Sequence, residues 1–234
     1  MVQYHWPHEP GQSRESLPEN RFYLLFRKLR LYLPVSKISE AKMTPISDTR
    51  EQIMDRAGQL LMSRGFHGFS YRDISTHLGV KNAAVHYHFP AKADLALALV
   101  DEYRQTLRKS TAEFMAYGGQ ALPQLEGFFS FTSYQCTKGR CICPVGAFSV
   151  DYLDIPEEVQ KAMADFMEET IKWLSRVLEV GREQNEFSFS GDPRAKALLI
   201  LAGLQGARQM ARIDDMGILD DVITQIRVDL EISV

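Results

Sequence analysis

The sequence predicts an all-α fold, with a compact N-terminal three-helix unit followed by a larger helical region. Three observations predict it. Apolar residues recur at spacings of three and four through most of the chain after residue 47, the pattern of one helix face. Gly65, Gly79, Pro90, Gly118, Gly119, Pro156 and Pro193 punctuate these runs. No segment alternates apolar and polar residues as a half-buried strand does, and no internal repeat is visible.

The 234 residues allow one or two domains with a substantial core, and 45% hydrophobic with 24% charged residues is ordinary for a soluble globular chain. No stretch approaches the roughly 18–20 apolar residues of a membrane span; the longest run, residues 195–206, is too short and carries Lys196 and Gln205. The net charge of −3 is unevenly spread. Residues 1–43 hold 7 basic and 4 acidic side chains, residues 44–110 hold 9 and 7, and residues 111–234 hold 11 and 19. The first half can therefore meet a polyanion that the second half would repel. Three cysteines cannot pair completely within one chain, and no secretory signal is present, so reduced thiols in a cytoplasm are expected.

Residues 1–42 differ from the rest. A turn-rich start (His5, Pro7, His8, Pro10, Gly11) precedes residues 21–35, where Phe22, Leu25, Phe26, Leu29 and Leu33 lie among Arg27, Lys28 and Arg30. This is the spacing of a short basic amphipathic helix, suited to a membrane surface or a nucleic acid. The reading preferred over it takes Met43 as the natural start and residues 1–42 as a poorly ordered extension.

From Ser47 the pattern is regular. Ile53, Ala57, Leu60 and Leu61 form one face of a first helix, with Asp48 and Glu51 at its positive end and Gly65 at its stop. The second helix begins at Ser70, where Ser70 and Asp73 have the form of a capping box, and directs Ile74 and Leu78 inward. Gly79 breaks it. A short third helix spans about residues 81–89 and ends before Pro90. Further helices are predicted near residues 93–117, 123–138, 145–153, 157–185, 193–212 and 218–230, with Pro156 and Pro193 at helix starts. In the long helix Val159, Met163, Phe166, Thr170, Trp173, Val177 and Gly181 mark the apolar face, and in the last one Ile218, Val222, Ile226 and Leu230 do so.

Residues 70–92 thus form a capped helix, a glycine turn, a short helix and a following lysine. A helix fits the major groove of DNA, and in a helix-turn-helix the first helix braces on the backbone while the second enters the groove. The run YRDISTHLGVKNAAVHYHFPAKADL, residues 71–95, together with Gly65, Phe66, Gly68 and Phe69, resembles the TetR family of repressors over about 50 residues. The resemblance implies a helix-turn-helix DNA-binding domain at residues 43–95 and a helical ligand-binding and dimerisation domain at residues 96–234.

Asn82, Ala83 and His86 share one face at the start of the short helix. Asparagine can pair with adenine and alanine can touch a thymine methyl. By matching position Arg72 reaches a base, while Ser70, Tyr71, Tyr87, His88 and Lys92 hold phosphates, which fix register without reading sequence. Lys81 adds positive charge. Two departures from the family pattern stand out: Lys81 replaces a small capping residue, and His86 replaces tyrosine. A histidine there makes DNA affinity pH-dependent, because imidazole changes charge near neutrality.

In the C-terminal region, Leu198, Leu199, Leu201, Ala202 and Leu204 surround one helix, which must then be covered on two sides, one of them by a second subunit. Gly203 and Gly206 permit close backbone approach. Family members use this region for a small-molecule cavity. Phe128, Phe131, Tyr134, Phe148, Tyr152, Phe166 and Trp173, with Gln205 and Arg208 as polar groups, are the candidate effector pocket, although the same aromatics would serve equally as core. Cys136, Cys141 and Cys143 admit three readings: ordinary thiols, an electrophile or oxidant sensor near Lys138 and Arg140, and a metal site lacking a fourth ligand. No cofactor and no metal is expected. Neither a nucleotide loop nor a Ser-His-Asp order supports an enzyme. The expected partners are double-stranded operator DNA, a second copy of the chain and an unidentified small-molecule effector, with no membrane.

Overall fold

The computed structural model describes residues 49–116, 119–137, 142–213 and 217–232. The predicted extension and its basic helix lie outside the described residues. Among the described residues there are nine helices and no strand.

Helix α1 (Thr49–Arg64) buries Ile53, Met54, Ala57, Leu60 and Leu61. It stops at Gly65, whose φ of 77° is strained for a residue with a side chain. At Gly68 the chain folds back so closely that a Cβ would lie 2.2 Å from the Arg64 carbonyl oxygen. This return tucks Phe66 and Phe69 into the core.

Helix α2 (Tyr71–Leu78) carries the predicted capping box. The Ser70 backbone N–H and hydroxyl both donate to Asp73 Oδ2, at 2.8 and 2.6 Å. These bonds, aided by Arg64 at 3.6 Å, hold the Asp73 carboxyl below the usual carboxylate range. Gly79, at φ 68°, ends the helix. Helix α3 (Asn82–His88) starts at Lys81, whose side chain makes no cap hydrogen bond, in line with the missing small capping residue. Ile74, Val85 and Phe89 close the three-helix core against α1.

Helix α4 (Lys92–Ala116) leads out of this head. Leu95, Ala96, Leu99 and Val100 pack with the head, and Leu107 continues the buried face. Arg104 and Arg108 then clasp Glu169 on α7 (Glu157–Glu183), the latter at 2.8 Å. Helices α5 (Ala121–Thr137) and α6 (Pro144–Ser149) lie between α4 and α7 in sequence, and α8 (Pro193–Ala211) and α9 (Gly217–Asp229) complete the body. Asp192 caps α8 by accepting from the Ala195 N–H at 3.0 Å. Arg227 on α9 makes a two-pronged bond to Glu126 on α5, both at 2.7 Å.

Two apolar stripes differ from their predicted registers. On α9 the buried residues are Leu219, Ile223 and Ile226, joined by Leu230 just past its end, while Ile218 and Val222 are half-buried. A strict four-residue repeat drifts about 40° per step around a helix of 3.6 residues per turn, whereas steps of four, three and four stay on one face. On α7 Val159, Met163, Phe166, Val177 and Gly181 are buried as predicted, while in mid-helix Ile171 and Leu174 are buried and Thr170 and Trp173 are half-buried.

Helix α6 is shorter than predicted. Residues 150–155 leave the helix as turns, and this lets Asp151 reach the head. The His67 N–H donates to Asp151 Oδ2 at 3.2 Å, and the Phe66 and Phe148 rings lie 6.1 Å apart. From α8, Arg212 donates to the Ser63 carbonyl at 3.4 Å.

Candidate nucleic-acid interface

The predicted reading face is presented by α2 and α3. Arg72, Lys81, Asn82, Ala83, His86 and Tyr87 are all exposed, Tyr87 to 82%. Val85 points the other way and is fully buried, so packing of this one residue fixes which side of α3 faces outward. The His86 ring rests edge-on against Tyr71 at 4.7 Å, with Nδ1 3.4 Å from the Pro90 carbonyl oxygen. Tyr87 and His88 stack edge-on at 5.2 Å, and His88 is half-buried.

Two of the expected phosphate-holding side chains, those of Tyr71 and Lys92, have partners within the head. The Tyr71 side chain is 7% exposed and its hydroxyl donates to the Phe89 carbonyl at 2.9 Å. Burial, then the charge of Asp94, pushes its pKa up to about 12. Tyr71 therefore ties α2 to the end of α3. Lys92 turns inward as well: its ammonium donates to the Phe66 and Phe69 carbonyls and sits over both rings, at 4.7 and 4.2 Å. Burial lowers its pKa, against the opposing pull of Asp151 and Asp73. It clamps the turn between α1 and α2, with two of its three N–H donors given to carbonyls there. Ser70 remains at the surface, with its hydroxyl proton given to Asp73.

Sequence reasoning missed a cleft of about 440 Å³ beside this face, lined by Arg56, Ser70, Arg72, Asp73, Thr76 and His77. Arg56 comes from α1, 16 positions before Arg72. Only a charged residue on the otherwise apolar side of α1 hinted at it.

The candidate effector residues divide into groups. Phe128 is buried and packs on Trp173 at 5.2 Å, with Phe131 and Tyr134 half-buried on the same helix as Phe128, and Phe166 buried. Phe148 instead belongs with Phe66 at the head–body joint, because α6 packs toward α1, and Tyr152, in the turns after α6, is on the surface. Gln205 and Arg208 are half-buried on α8, and the Arg208 Nε has no acceptor among the described residues. Gln209, absent from the sequence-based set, joins Gln205 against α6: a Cβ on Gly146 would meet their amide nitrogens at 3.0 and 3.4 Å and Cys143 Sγ at 3.6 Å. Cys143 caps α6, its sulfur accepting from the Gly146 N–H at 3.2 Å. Cys141 and the Cys136 side chain lie outside the described residues. Among the described residues no group of three His, Cys, Asp or Glu side chains is arranged to hold a metal, and no helix is long and apolar enough to cross a membrane.

Known proteins share this arrangement. The family model described as bacterial regulatory proteins, tetR family, matches residues 53–99. A second, described as the tetracyclin repressor-like C-terminal domain, matches residues 123–226. The chain is 26% identical over 169 residues to the HTH-type transcriptional repressor NemR of Escherichia coli K12, covering 71% of this chain and 85% of the relative. A TetR-family regulator from Agrobacterium tumefaciens superimposes with a TM-score of 0.74 at 28% identity, over 77% of this chain and 96% of that one. A TetR regulator from Legionella pneumophila gives 0.73 at 26%, over 80% and 100%.

Proposed function

The chain belongs to the TetR family of bacterial transcriptional regulators, and from that membership we propose that it is a homodimeric repressor released from its operator by a small-molecule or electrophile effector. The observation that carries the DNA-reading part is the outward face of α3, where Asn82, Ala83 and His86 stand exposed beside Arg72 while Val85 anchors the helix from behind. In this reading Arg72, Asn82, Ala83 and His86 read base edges, Lys81, Tyr87 and His88 hold phosphates, and Ser70, whose two donors go to Asp73, lies at the edge of that track. The protein regulates rather than catalyses, and it works in the cytoplasm where the chromosome is.

Residues 43–95 act as the head and 96–234 as the body. Support for a dimer comes from α8. Leu199, Ala202, Gly206 and Met210, with Ile213 in the turn that follows, are spaced by three and four, and Leu199, Met210 and Ile213 are exposed to 63%, 48% and 86%. A Cβ on Gly206 would meet nothing within 4 Å, leaving room for a partner helix. A two-fold dimer places two heads on half-sites one helical turn, or a multiple, apart.

For the effector, Phe128, Phe131, Tyr134, Phe166 and Trp173 offer an apolar lining, with Gln205 and Arg208 as polar groups. Among the described residues Cys143, as the cap of α6, is the thiol placed to pass a covalent change to the head, because α6 carries Phe148 and is followed by Asp151. Cys136 and Cys141 are the remaining candidates for such a sensor.

Binding across operator variants with each base pair changed in turn tests the assignment of Arg72. Arg72→Ala should cost about 1–3 kcal/mol on the native site and relax preference at one position. A uniform loss across all sequences would remove Arg72 from the base readers.

A further inference from the structure

The cleft beside the reading face is built from two helices. Arg56 projects from α1, and Ser70, Arg72, Asp73, Thr76 and His77 come from α2 and its cap. Arg72 and Thr76 lie one turn apart, so they share a side of α2. The acid in the cleft is already engaged: Asp73 accepts twice from Ser70 and faces Arg64 at 3.6 Å. The guanidinium of Arg56 is not fully engaged. Its Nη1 donates to Gln59 at 3.1 Å, while Nε is buried without an acceptor among the described residues. A buried donor left unmade is costly, and an arginine fork suits the oxygens of a phosphate. The cleft opens beside Arg72 and Ser70, two residues that face DNA under the function proposed above, and the inference rests on that reading.

We propose that this cleft binds a phosphodiester of the operator backbone, held by Arg56 from α1 and the Thr76 hydroxyl from α2. The contact extends the phosphate track onto the first helix of the head, and it fixes how deeply α2 sits against the strand from which Arg72 reaches a base. The role is sequence-independent, unlike that of Arg72.

The test measures affinity for the duplex upstream of the protein's own gene, and for a mixed-sequence duplex, between 50 and 200 mM salt. Each phosphate contact contributes a slope of about 0.9 in log K against log salt, so one contact per protomer gives about 2 for a dimer. Arg56→Ala should weaken binding to both duplexes by the same factor. Over that salt range it should lose about tenfold less affinity than the wild type. Arg56→Lys should keep the wild-type slope, and Thr76→Val should weaken binding with the slope unchanged. If Arg56→Ala melts early, Arg56→Gln, which keeps the stem and removes the charge, carries the same comparison. A wild-type slope in the uncharged variant overturns the proposal, as does a loss confined to one sequence. Inorganic phosphate that displaces DNA from the wild type but not from Arg56→Ala, when the variant binds DNA in phosphate-free buffer with the wild-type affinity and salt slope, would assign the cleft to free phosphate and also overturn it. A wild type that binds neither duplex at 50 mM would instead remove the DNA reading itself.

Discussion

Lys92, expected from its place in the motif to hold a phosphate, turns its ammonium into the framework of the head. Its ammonium satisfies the Phe66 and Phe69 carbonyls and covers both rings, so it holds the return of the chain from α1 to α2. Lys92→Ala should therefore cost about 1–3 kcal/mol by leaving two half-buried carbonyls without a donor. In a protein of this size that is a fall of roughly 2–4 °C in Tm per kcal/mol. The salt slope of DNA binding should be unchanged at temperatures where the variant is folded. A phosphate contact would give the reverse, a shallower slope with an unchanged Tm. The inward turn of Lys92 was not legible in the sequence because its acceptors lie 23 and 26 residues earlier. Position in the motif places the residue, but only the tertiary return at Gly68 decides where its chain points. Tyr71 follows the same logic through a carbonyl 18 residues later. Asn82, Ala83 and His86, by contrast, were legible as one exposed face, because helical spacing and the buried Val85 suffice to orient so short a helix.

At the scale of elements, the packing of α1 on α4 brings acids together. Burial raises the pKa of Asp55, with Glu51 adding to it. Burial also raises that of Glu102, with Asp55 and Glu51 adding and Arg50 opposing. A carboxyl whose pKa is higher in the folded state is protonated more readily there than in the unfolded chain. The fold therefore loses stability as pH rises from the ordinary carboxylate value through the raised one, and at neutral pH both groups are a net cost. Solvent reaches both, so the effect is under about 1 kcal/mol each. Glu102→Gln should raise Tm at pH 7 and shrink the gain the wild type shows on mild acidification; a lower Tm at pH 7 would contradict this. The helices themselves were legible from periodicity and from Gly and Pro punctuation, since local spacing and caps decide them. The registers of α7 and α9 and the early end of α6 were not. Those depend on which neighbours a face meets, and Asp151 leaves the helical path to reach His67 on the head.

At the scale of the molecule, head and body meet through long α4 and through the contacts of Asp151, Phe148 and Arg212 with the α1 end. An effector that prefers one arrangement of the body shifts the spacing of two heads only if the two subunits are joined. The exposed apolar face of α8 is the surface that would join them. Leu199→Glu places a charge on that face without touching the core, so it should give a folded monomer in sedimentation that binds operator far more weakly; a folded dimer with full affinity would place the interface elsewhere. The central claim is that two such heads read one operator. Its most direct test is titration of the purified protein onto DNA from its own upstream region, against scrambled DNA, at two salt concentrations. Two protomers per site, preference for the native sequence and weaker binding at higher salt are the result this account predicts; no binding to either duplex at low salt would contradict it.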